Sequence, residues 1–443
     1  MEVINFIHDI NWNDFPEEIK HQARRYLLDT LGAGIAGRQT ELSQIIHDFA
    51  ASIFGGTGAY LWLDGREVSP PGAALANGMT IDALDIHDGH PLVKGHAGAA
   101  IVPAVLATIA GKDNQKVTGQ ELLTTLIIGY EVALRAGIAL HATACDYHTS
   151  GAWNALGCAA VTARRLGLSR TETRHALGVA EYHGPRSQMM RCIDHPTMLK
   201  DGSGWGAMVG VSSALLAQGN FSGAPALTVE ADAVKEIWTD LGTEWQFSKQ
   251  YFKPHAVCRW AQPAVEGARA LQKKYQIASE NIKRIKVYTF HEAARLTCRH
   301  PQTTETAQYS LPFPVAAILI YGRLGQKELS DNALKDSAVL RLSDCVELIE
   351  DTAFSQRFPA QRFARVEIET KAGHVYDSGK VQANWEAETT PTDRELRQKF
   401  HWLTQGVLTA KRASELEEMV WRCAELPDAT RLLPLLTSRK TPA

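Results

Sequence analysis

The chain has 443 residues, of which 45% are hydrophobic and 21% are charged, a balance typical of a folded globular protein and not of a disordered one. Its 46 Lys and Arg against 49 Asp and Glu give a net charge of −3, so we expect no nucleic-acid partner, because such partners require a basic face. Seven scattered Cys without a pairing pattern favour a reducing compartment.

Helix-start signals recur in the first 254 residues and predict a large helical domain. Pro16 and Gly37 bound one predicted helix, and capping boxes that start at Thr118 and Ser169 precede two others. The segments 97–110 and 151–163 are rich in Ala and Gly, small residues that let helices pack closely. We therefore predict that these two segments are buried helices.

The pattern changes after about residue 280. Apolar and polar residues alternate over 282–290 and 365–370, and the second segment continues through a turn into a further strand, which predicts a hairpin. Helical segments lie between them, near 308–321 and 331–338. The region 255–385 is therefore predicted to be a smaller α+β domain.

Helices return at the end of the chain. Capping boxes are predicted at Thr392 and at Ser414. The predicted fold is mainly α, with one large all-helical domain formed by 1–254 and 386–443 and the α+β domain of 255–385 inserted in it.

No segment of the sequence predicts export or a membrane partner. The N-terminus lacks the basic and apolar regions of a signal peptide. The most apolar run, 311–321, has about half the length that a membrane span needs. We expect a cytoplasmic protein.

The densest polar cluster lies at 82–96, DALDIHDGHPLVKGH, between two apolar segments. Charged groups between buried segments cost free energy unless they are paired or functional. The sequence leaves three interpretations: a solvated loop, a metal site, and an acid–base site for a small polyanion, which we favour. The metal interpretation, whose spacing matches no standard motif, would use Asp85, His87, Asp88, His90 and His96.

Further candidate residues occur in three later segments. His148 and Thr149 precede a small-residue helix whose N-terminus suits a carboxylate, although an isolated His is more often a cap or a core residue. Arg186 and Lys200 lie in a segment rich in cations and Gly, which suits an anionic ligand. The alternative interpretation of this segment is an exposed loop with ordinary basic residues. The segment 252–259 lies at the predicted domain junction, a favoured place for ligands.

Several well-known motifs are missing from the sequence. It contains no phosphate-binding G-x-x-x-x-G-K-[ST], no dinucleotide-binding G-x-G-x-x-G on a strand, no G-x-S-x-G and no C-x-x-C. Dispersed clusters of His, Lys, Arg and Asp without a cofactor motif favour cofactor-free lyase or isomerase chemistry.

Taken in order, these segments resemble the MmgE/PrpD family, which includes 2-methylcitrate dehydratase, cis-aconitate decarboxylase and iminodisuccinate epimerase. The resemblance covers most of the chain and implies a homodimer with an active site between a helical domain and an α+β lid domain. It depends on DTLGAGIAG at 29–37, NG at 77–78, ALDIHD at 83–88, HAG at 96–98, GYE at 129–131, YHTSG at 147–151, Lys200, KP at 253–254 and QYSLPF at 308–313.

The resemblance also implies roles for individual residues, with no cofactor and no metal. The implied catalytic residues are Asp85, His96, His148, Lys200 and Lys253. The residues expected to bind the substrate, a small carboxylic acid, are Asp88, His90, Thr149, Arg186, His255, Arg259 and Phe313.

Two residues depart from the family pattern: Gly89 replaces a Thr, and Phe313 replaces a Tyr that some members have. The predicted function is dehydration of a 2-methylcitrate- or citrate-type acid, by removal of the α-proton and loss of hydroxide. The alternatives are decarboxylation of a cis-aconitate-type acid, epimerisation of an iminodisuccinate-type acid, a metal-dependent enzyme that uses the 85–96 cluster, and a protein without catalytic activity.

Overall fold

The computed structural model describes residues 2–109 and 116–437, and helices form most of it. The longer helices are α1 Val3–Asp9, α2 Glu17–Gly37, α3 Glu41–Ile53, α4 Pro70–Asp82, α5 Gly98–Ile109, α6 Gly119–Thr143, α7 Gly151–Leu166, α8 Arg170–His183, α9 Ser203–Gln218, α10 Gln262–Tyr275, α11 Pro312–Tyr321, α12 Ser337–Asp344, α13 Asp393–Thr404 and α14 Ala410–Trp421. The strands are β1 Ala59–Tyr60, β2 Glu67–Val68, β3 Ile282–Thr289, β4 Val346–Glu350, β5 Phe363–Thr370 and β6 Val375–Gln382. The mainly α class is confirmed.

Most of the predicted helix starts are observed. The side chains of Thr118, Ser169 and Thr392 each accept a hydrogen bond from the backbone N–H three residues later. The predicted start at Ser414 is wrong, because Thr409 caps α14 and Ser414 lies inside the helix. The helix therefore begins earlier, where the Thr409 hydroxyl accepts a hydrogen bond from the backbone N–H of Arg412 in the first turn.

The small-residue helices lie at the centre of the helical region. Helix α7 packs against α6 and α9, and α9 crosses α4. A Cβ atom at Gly206 in α9 would lie 2.4 Å from the carbonyl oxygen of Gly151 in α7, so only glycine permits this close approach. The predicted buried helices are confirmed over Gly98–Ile109 and Gly151–Leu166, while Ala110 lies outside the described residues.

One helix in the described part of the chain, α6, is long and apolar enough to cross a membrane. Of its most apolar 18-residue window, 94% is buried inside the protein. Neighbouring helices therefore cover the apolar surface that the sequence gives α6.

A four-stranded sheet forms the second part of the fold, in the order β4-β3-β5-β6. Strands β5 and β6 form the predicted antiparallel hairpin, and β5 also pairs antiparallel with β3. Strand β4, which the sequence analysis missed, runs parallel to β3 with Val346 opposite Ile285. Helix α10 covers one face, where Gly267 lies against Val366 of β5.

The C-terminal helices return to the N-terminal part of the chain. Helix α13 packs along α2, where Phe400 lies against Gly32. Lys399 of α13 also forms a buried ion pair with Asp29 of α2, at 2.6 Å. The sheet thus lies, in chain order, between two sets of helices that pack together, while the domain boundaries at 254/255 and 385/386 stay predictions.

Candidate active site

The predicted catalytic residues Asp85, His96 and Lys253 meet in one buried cluster. The Lys253 ammonium contacts the Asp85 carboxylate and donates a hydrogen bond to the Asp85 carbonyl oxygen at 3.0 Å. His96 Nε2 lies 3.7 Å from the Asp85 carboxylate. Burial raises the pKa of Asp85, but Lys253 and His96 outweigh it and hold that pKa below its ordinary value. Asp85 is therefore an ionised carboxylate between a cation and an imidazole.

Backbone geometry fixes where these side chains point. Asp85 has φ +49°, just beyond the end of α4, and Lys200 has φ +50°, just before α9. A residue other than glycine held in the left-handed region costs about 1–3 kcal/mol, and such residues cluster at functional sites. Two of the five predicted catalytic residues therefore have a strained backbone.

His96 has one nitrogen free to accept a proton. Its Nδ1 lies 2.5 Å from the carbonyl oxygen of Asp88, which only accepts hydrogen bonds, so Nδ1 carries the hydrogen and Nε2 has the lone pair. Ser150 accepts from the backbone N–H of His96, and Asn154 donates to its carbonyl oxygen. Burial, with Lys253 nearby, lowers the pKa of His96 to about 3. The imidazole is therefore neutral near pH 7.

Lys200 is connected to the backbone just before Asp85 by hydrogen bonds through Gln308. Its ammonium donates to Oε1 of Gln308, and Nε2 of Gln308 donates to the carbonyl oxygen of Ala83 at 3.0 Å. The same ammonium lies 5.1 Å from the ring centre of Tyr309. Gln308 of the motif QYSLPF thus holds the buried Lys200 ammonium near the backbone that precedes Asp85.

The structure adds two carboxylates that sequence reasoning did not select, Asp82 and Asp201. The backbone N–H of Asp201 donates to Asp82 at 3.3 Å, and the Ser150 hydroxyl contacts the Asp201 carboxylate. Burial raises the pKa of Asp82 to about 6 and that of Asp201 well above its ordinary value. The only sequence signal for them was position, since Asp82 begins the polar cluster and Asp201 follows Lys200.

Asp88 and His90 are buried, but their contacts differ from the expected substrate binding. The Asp88 carboxylate accepts from the Tyr130 hydroxyl at 2.7 Å and from the backbone N–H of Gly98 at 3.3 Å. Burial raises the pKa of Asp88 to about 7. The His90 backbone N–H donates to the Gly95 carbonyl oxygen at 2.9 Å. Asp88 therefore supports the start of α5 and orients His96 through its carbonyl oxygen.

The predicted residues His148, Thr149 and Arg186 lie beside the cluster. In residues 2–109 and 116–437, no hydrogen bond or ion pair joins the half-buried His148 to Asp85 or His96. Burial and the neighbouring Arg186, which is exposed, lower the pKa of His148. Thr149 is buried, with its backbone N–H bonded to the Ser187 carbonyl oxygen. Ser150, which follows Thr149 in the chain, connects this segment to the backbone of His96.

His255, Arg259 and Phe313, also expected to bind substrate, contact protein groups instead. His255 pairs with Glu266 at 2.6 Å, and Arg259 pairs with Glu386 at 2.8 Å. Phe313 is fully buried in the hydrophobic core. His255 and Arg259 are therefore each paired with a carboxylate of the protein itself.

Three of the five residues of the metal interpretation converge. Ligand atoms of Asp85, His87 and His96 lie within 4.8 Å of one another, whereas Asp88 and His90 are not in this group. The same Asp85 carboxylate contacts the Lys253 ammonium. The positive charge of this ammonium repels a second cation beside the same carboxylate, so electrostatics disfavours a metal ion at Asp85.

Comparison with known proteins identifies the family of this chain. The family model described as the MmgE/PrpD N-terminal domain matches residues 2–250, and the MmgE/PrpD C-terminal domain matches residues 255–425. A cis-aconitate decarboxylase-like protein of Aspergillus oryzae is 25% identical, over 98% of this chain and 96% of its own length.

Other relatives carry two different activities in their names. The cis-aconitate decarboxylase of Homo sapiens is 24% identical, over 98% of this chain and 94% of its own length. The mitochondrial 2-methylcitrate dehydratase of Yarrowia lipolytica is 25% identical, over 86% of this chain and 78% of its own length. Because two family models together cover nearly the whole sequence, the chain belongs to the MmgE/PrpD family.

Proposed function

We propose that the protein is a cofactor-independent lyase that acts on a small di- or tricarboxylic acid. One observation carries the proposal: a neutral imidazole, His96, presents an unprotonated Nε2 beside the buried Asp85–Lys253 pair. Such a nitrogen suits proton transfer at carbon, and the ammonium groups of Lys200 and Lys253 suit carboxylates.

The charges of the site favour a polyanionic substrate. Lys253 and Lys200 are 0% and 2% exposed, and buried cations are stabilised by the arrival of anions. Negative charge near His96 raises the pKa of that imidazole, so a bound polyanion favours its protonated form. We propose that the substrate thereby prepares its own proton donor.

Decarboxylation of a cis-aconitate-type acid is the reaction we propose first. The C–C bond to the leaving carboxylate breaks, carbon dioxide departs, and the electron pair moves to carbon conjugated with a retained carboxylate. The imidazolium of His96 then gives that carbon a proton. This reaction needs one proton donor, and the decarboxylase relatives match nearly the full chain, which supports it over the alternatives.

Dehydration of a 2-methylcitrate- or citrate-type acid is the second candidate. His96 would remove the α-proton, and hydroxide would leave as water with a proton from a second group. The carboxyl of Asp201, whose pKa burial raises well above its ordinary value, supports this candidate because it remains protonated at higher pH. Epimerisation would use proton removal and return without a leaving group.

We propose a cytoplasmic homodimer, with the sheet unit acting as a lid that excludes water from the cluster. The support is the family resemblance, together with the position of Lys253 between the helices and the sheet segment along the chain.

The test is proton NMR of the purified protein in deuterated water with citrate, 2-methylcitrate, cis-aconitate and iminodisuccinate in turn. We expect decarboxylation products from cis-aconitate. Alkene signals from citrate or 2-methylcitrate would instead establish dehydration, and deuterium exchange at carbon alone would establish epimerisation. Absence of any reaction across the panel would contradict the proposed lyase activity.

The metal interpretation is tested in the same assay. The protein is dialysed against a chelator and measured before and after divalent ions are added back. Activity that survives chelation supports the cofactor-independent mechanism. Activity that is lost and then restored by a metal ion would overturn it in favour of a site at Asp85, His87 and His96.

A further inference from the structure

A buried arginine in the sheet region has no acidic partner. Arg362, immediately before β5, is 3% exposed. Among the described residues, its guanidinium donates one hydrogen bond, to the carbonyl oxygen of Pro91 at 3.2 Å, and its Nε has no hydrogen-bond partner. Its Cζ lies 5.8 Å from the ring centre of Phe358. In the described part of the chain, no carboxylate lies within 4.0 Å of it. Burying an unpaired cation costs free energy, so such a group is unusual in a structural role.

A second cation, Lys94, follows three residues after Pro91, the residue that Arg362 contacts. Lys94 has φ +52°, and its ammonium lies 4.3 Å from the ring centre of Tyr147. Burial lowers the pKa of Lys94, and so does the like charge of Arg362, while Glu292 raises it without forming an ion pair among the described residues. Neither Arg362 nor Lys94 forms an ion pair in the described part of the chain, so the two cations together attract an anion.

Arg362 contacts the segment that carries His96, because Pro91, which accepts its hydrogen bond, lies between Gly89 and His96 in the chain. A Cβ atom at Gly89 would lie 2.5 Å from the Tyr251 hydroxyl and 2.7 Å from His96 Nδ1, so Tyr251 and His96 are close neighbours. The segment 89–96 therefore connects Arg362 to the predicted catalytic residue His96.

We propose that Arg362, assisted by Lys94, binds one carboxylate of the substrate beside the segment that carries His96. The inference rests on the proposed function and deepens it, because two cation pairs fit an acid with carboxylates at separate ends better than a monocarboxylate. A guanidinium can hold a carboxylate through two parallel N–H···O hydrogen bonds. The sheet unit would thus supply specificity to a site whose proton-transfer groups come from the helical part.

The experiment measures binding of tricarballylate, a saturated tricarboxylate without a leaving group, by titration calorimetry. The variants are Arg362→Gln, Arg362→Lys and the matched control Arg365→Gln. Arg365 lies on β5, three residues after Arg362, is half-exposed, and pairs with Asp377 at 2.7 Å. We expect Arg362→Gln to weaken binding by about 10-fold or more, since charged hydrogen bonds contribute that much. Arg362→Lys should retain part of the affinity.

Two further readouts separate binding from a structural role. Added guanidinium ions should restore affinity to Arg362→Gln, and its thermal midpoint should equal or exceed that of the wild type because an unpaired buried charge is gone. Unchanged affinity in a folded Arg362→Gln protein, or an equal loss in Arg365→Gln, would overturn the inference. A wild type that binds no tricarballylate and turns over no acid would instead contradict the proposed function.

Discussion

Replacing Lys253 with Met provides the sharpest test of the buried ion pair. The ammonium is fully buried and contacts both the carboxylate and the carbonyl oxygen of Asp85. Its removal leaves the Asp85 carboxylate without its strongest partner. Breaking one side of a buried pair costs about 3–5 kcal/mol, because the remaining charge is left uncompensated. We expect a loss of that size in the free energy of unfolding.

The double variant Asp85→Asn with Lys253→Met should recover most of this loss, because a neutral pair leaves no uncompensated charge. Urea unfolding of the wild type, both single variants and the double variant, followed by tryptophan fluorescence, gives the interaction free energy. Lys283→Met is the matched control, since that ammonium pairs with Glu369 at 2.7 Å but is 61% exposed. Its expected cost is below about 1 kcal/mol.

Additive effects would refute this reasoning. If the double variant is destabilised by the sum of the single variants, within about 0.5 kcal/mol, the two side chains do not interact as the structure places them. An equal loss from the exposed control would show that methionine itself destabilises the fold. Neither single variant should turn over substrate, because both disrupt the groups beside His96.

Three further predictions concern the same region. Lys200→Met should lower kcat/KM by about 100-fold or more with an unchanged far-UV circular dichroism spectrum, and normal turnover would contradict its role as an anion clamp. His96→Gln should lower kcat by about 100-fold or more in the NMR assay, and near-normal kcat would exclude it as the proton-transfer group. Because the pKa of Asp88 rises from 3.8 to about 7 on folding, it contributes stability that is present below pH 3.8 and lost as pH rises through 7. Asp88→Asn should flatten that decline in urea unfolding, and an unchanged decline would contradict the assigned pKa.

Local signals explain why the sequence predicted so much of the helical fold. A capping hydroxyl bonds to an N–H three residues away, so Thr118 and Ser169 reveal a helix start without any tertiary information. The hairpin of β5 and β6 is equally local. Strand β4 was missed because a five-residue segment, VELIE, has too little alternation to distinguish it from the end of α12, and a distant partner, β3, defines it.

In the candidate site, too, the sequence predicts what is local and the tertiary structure decides which distant residues meet. The sequence by itself determined the family, the mainly helical fold and the polar cluster at 82–96, whose residues are neighbours along the chain. Only the tertiary structure decided which of them act together, because Asp85 meets Lys253 across 168 residues and Arg362 meets Pro91 across 271. It also turned the Asp88 carboxylate toward Tyr130 and paired Arg259 with Glu386. Pairing between buried charges depends on distances of a few ångströms, which composition and spacing do not encode.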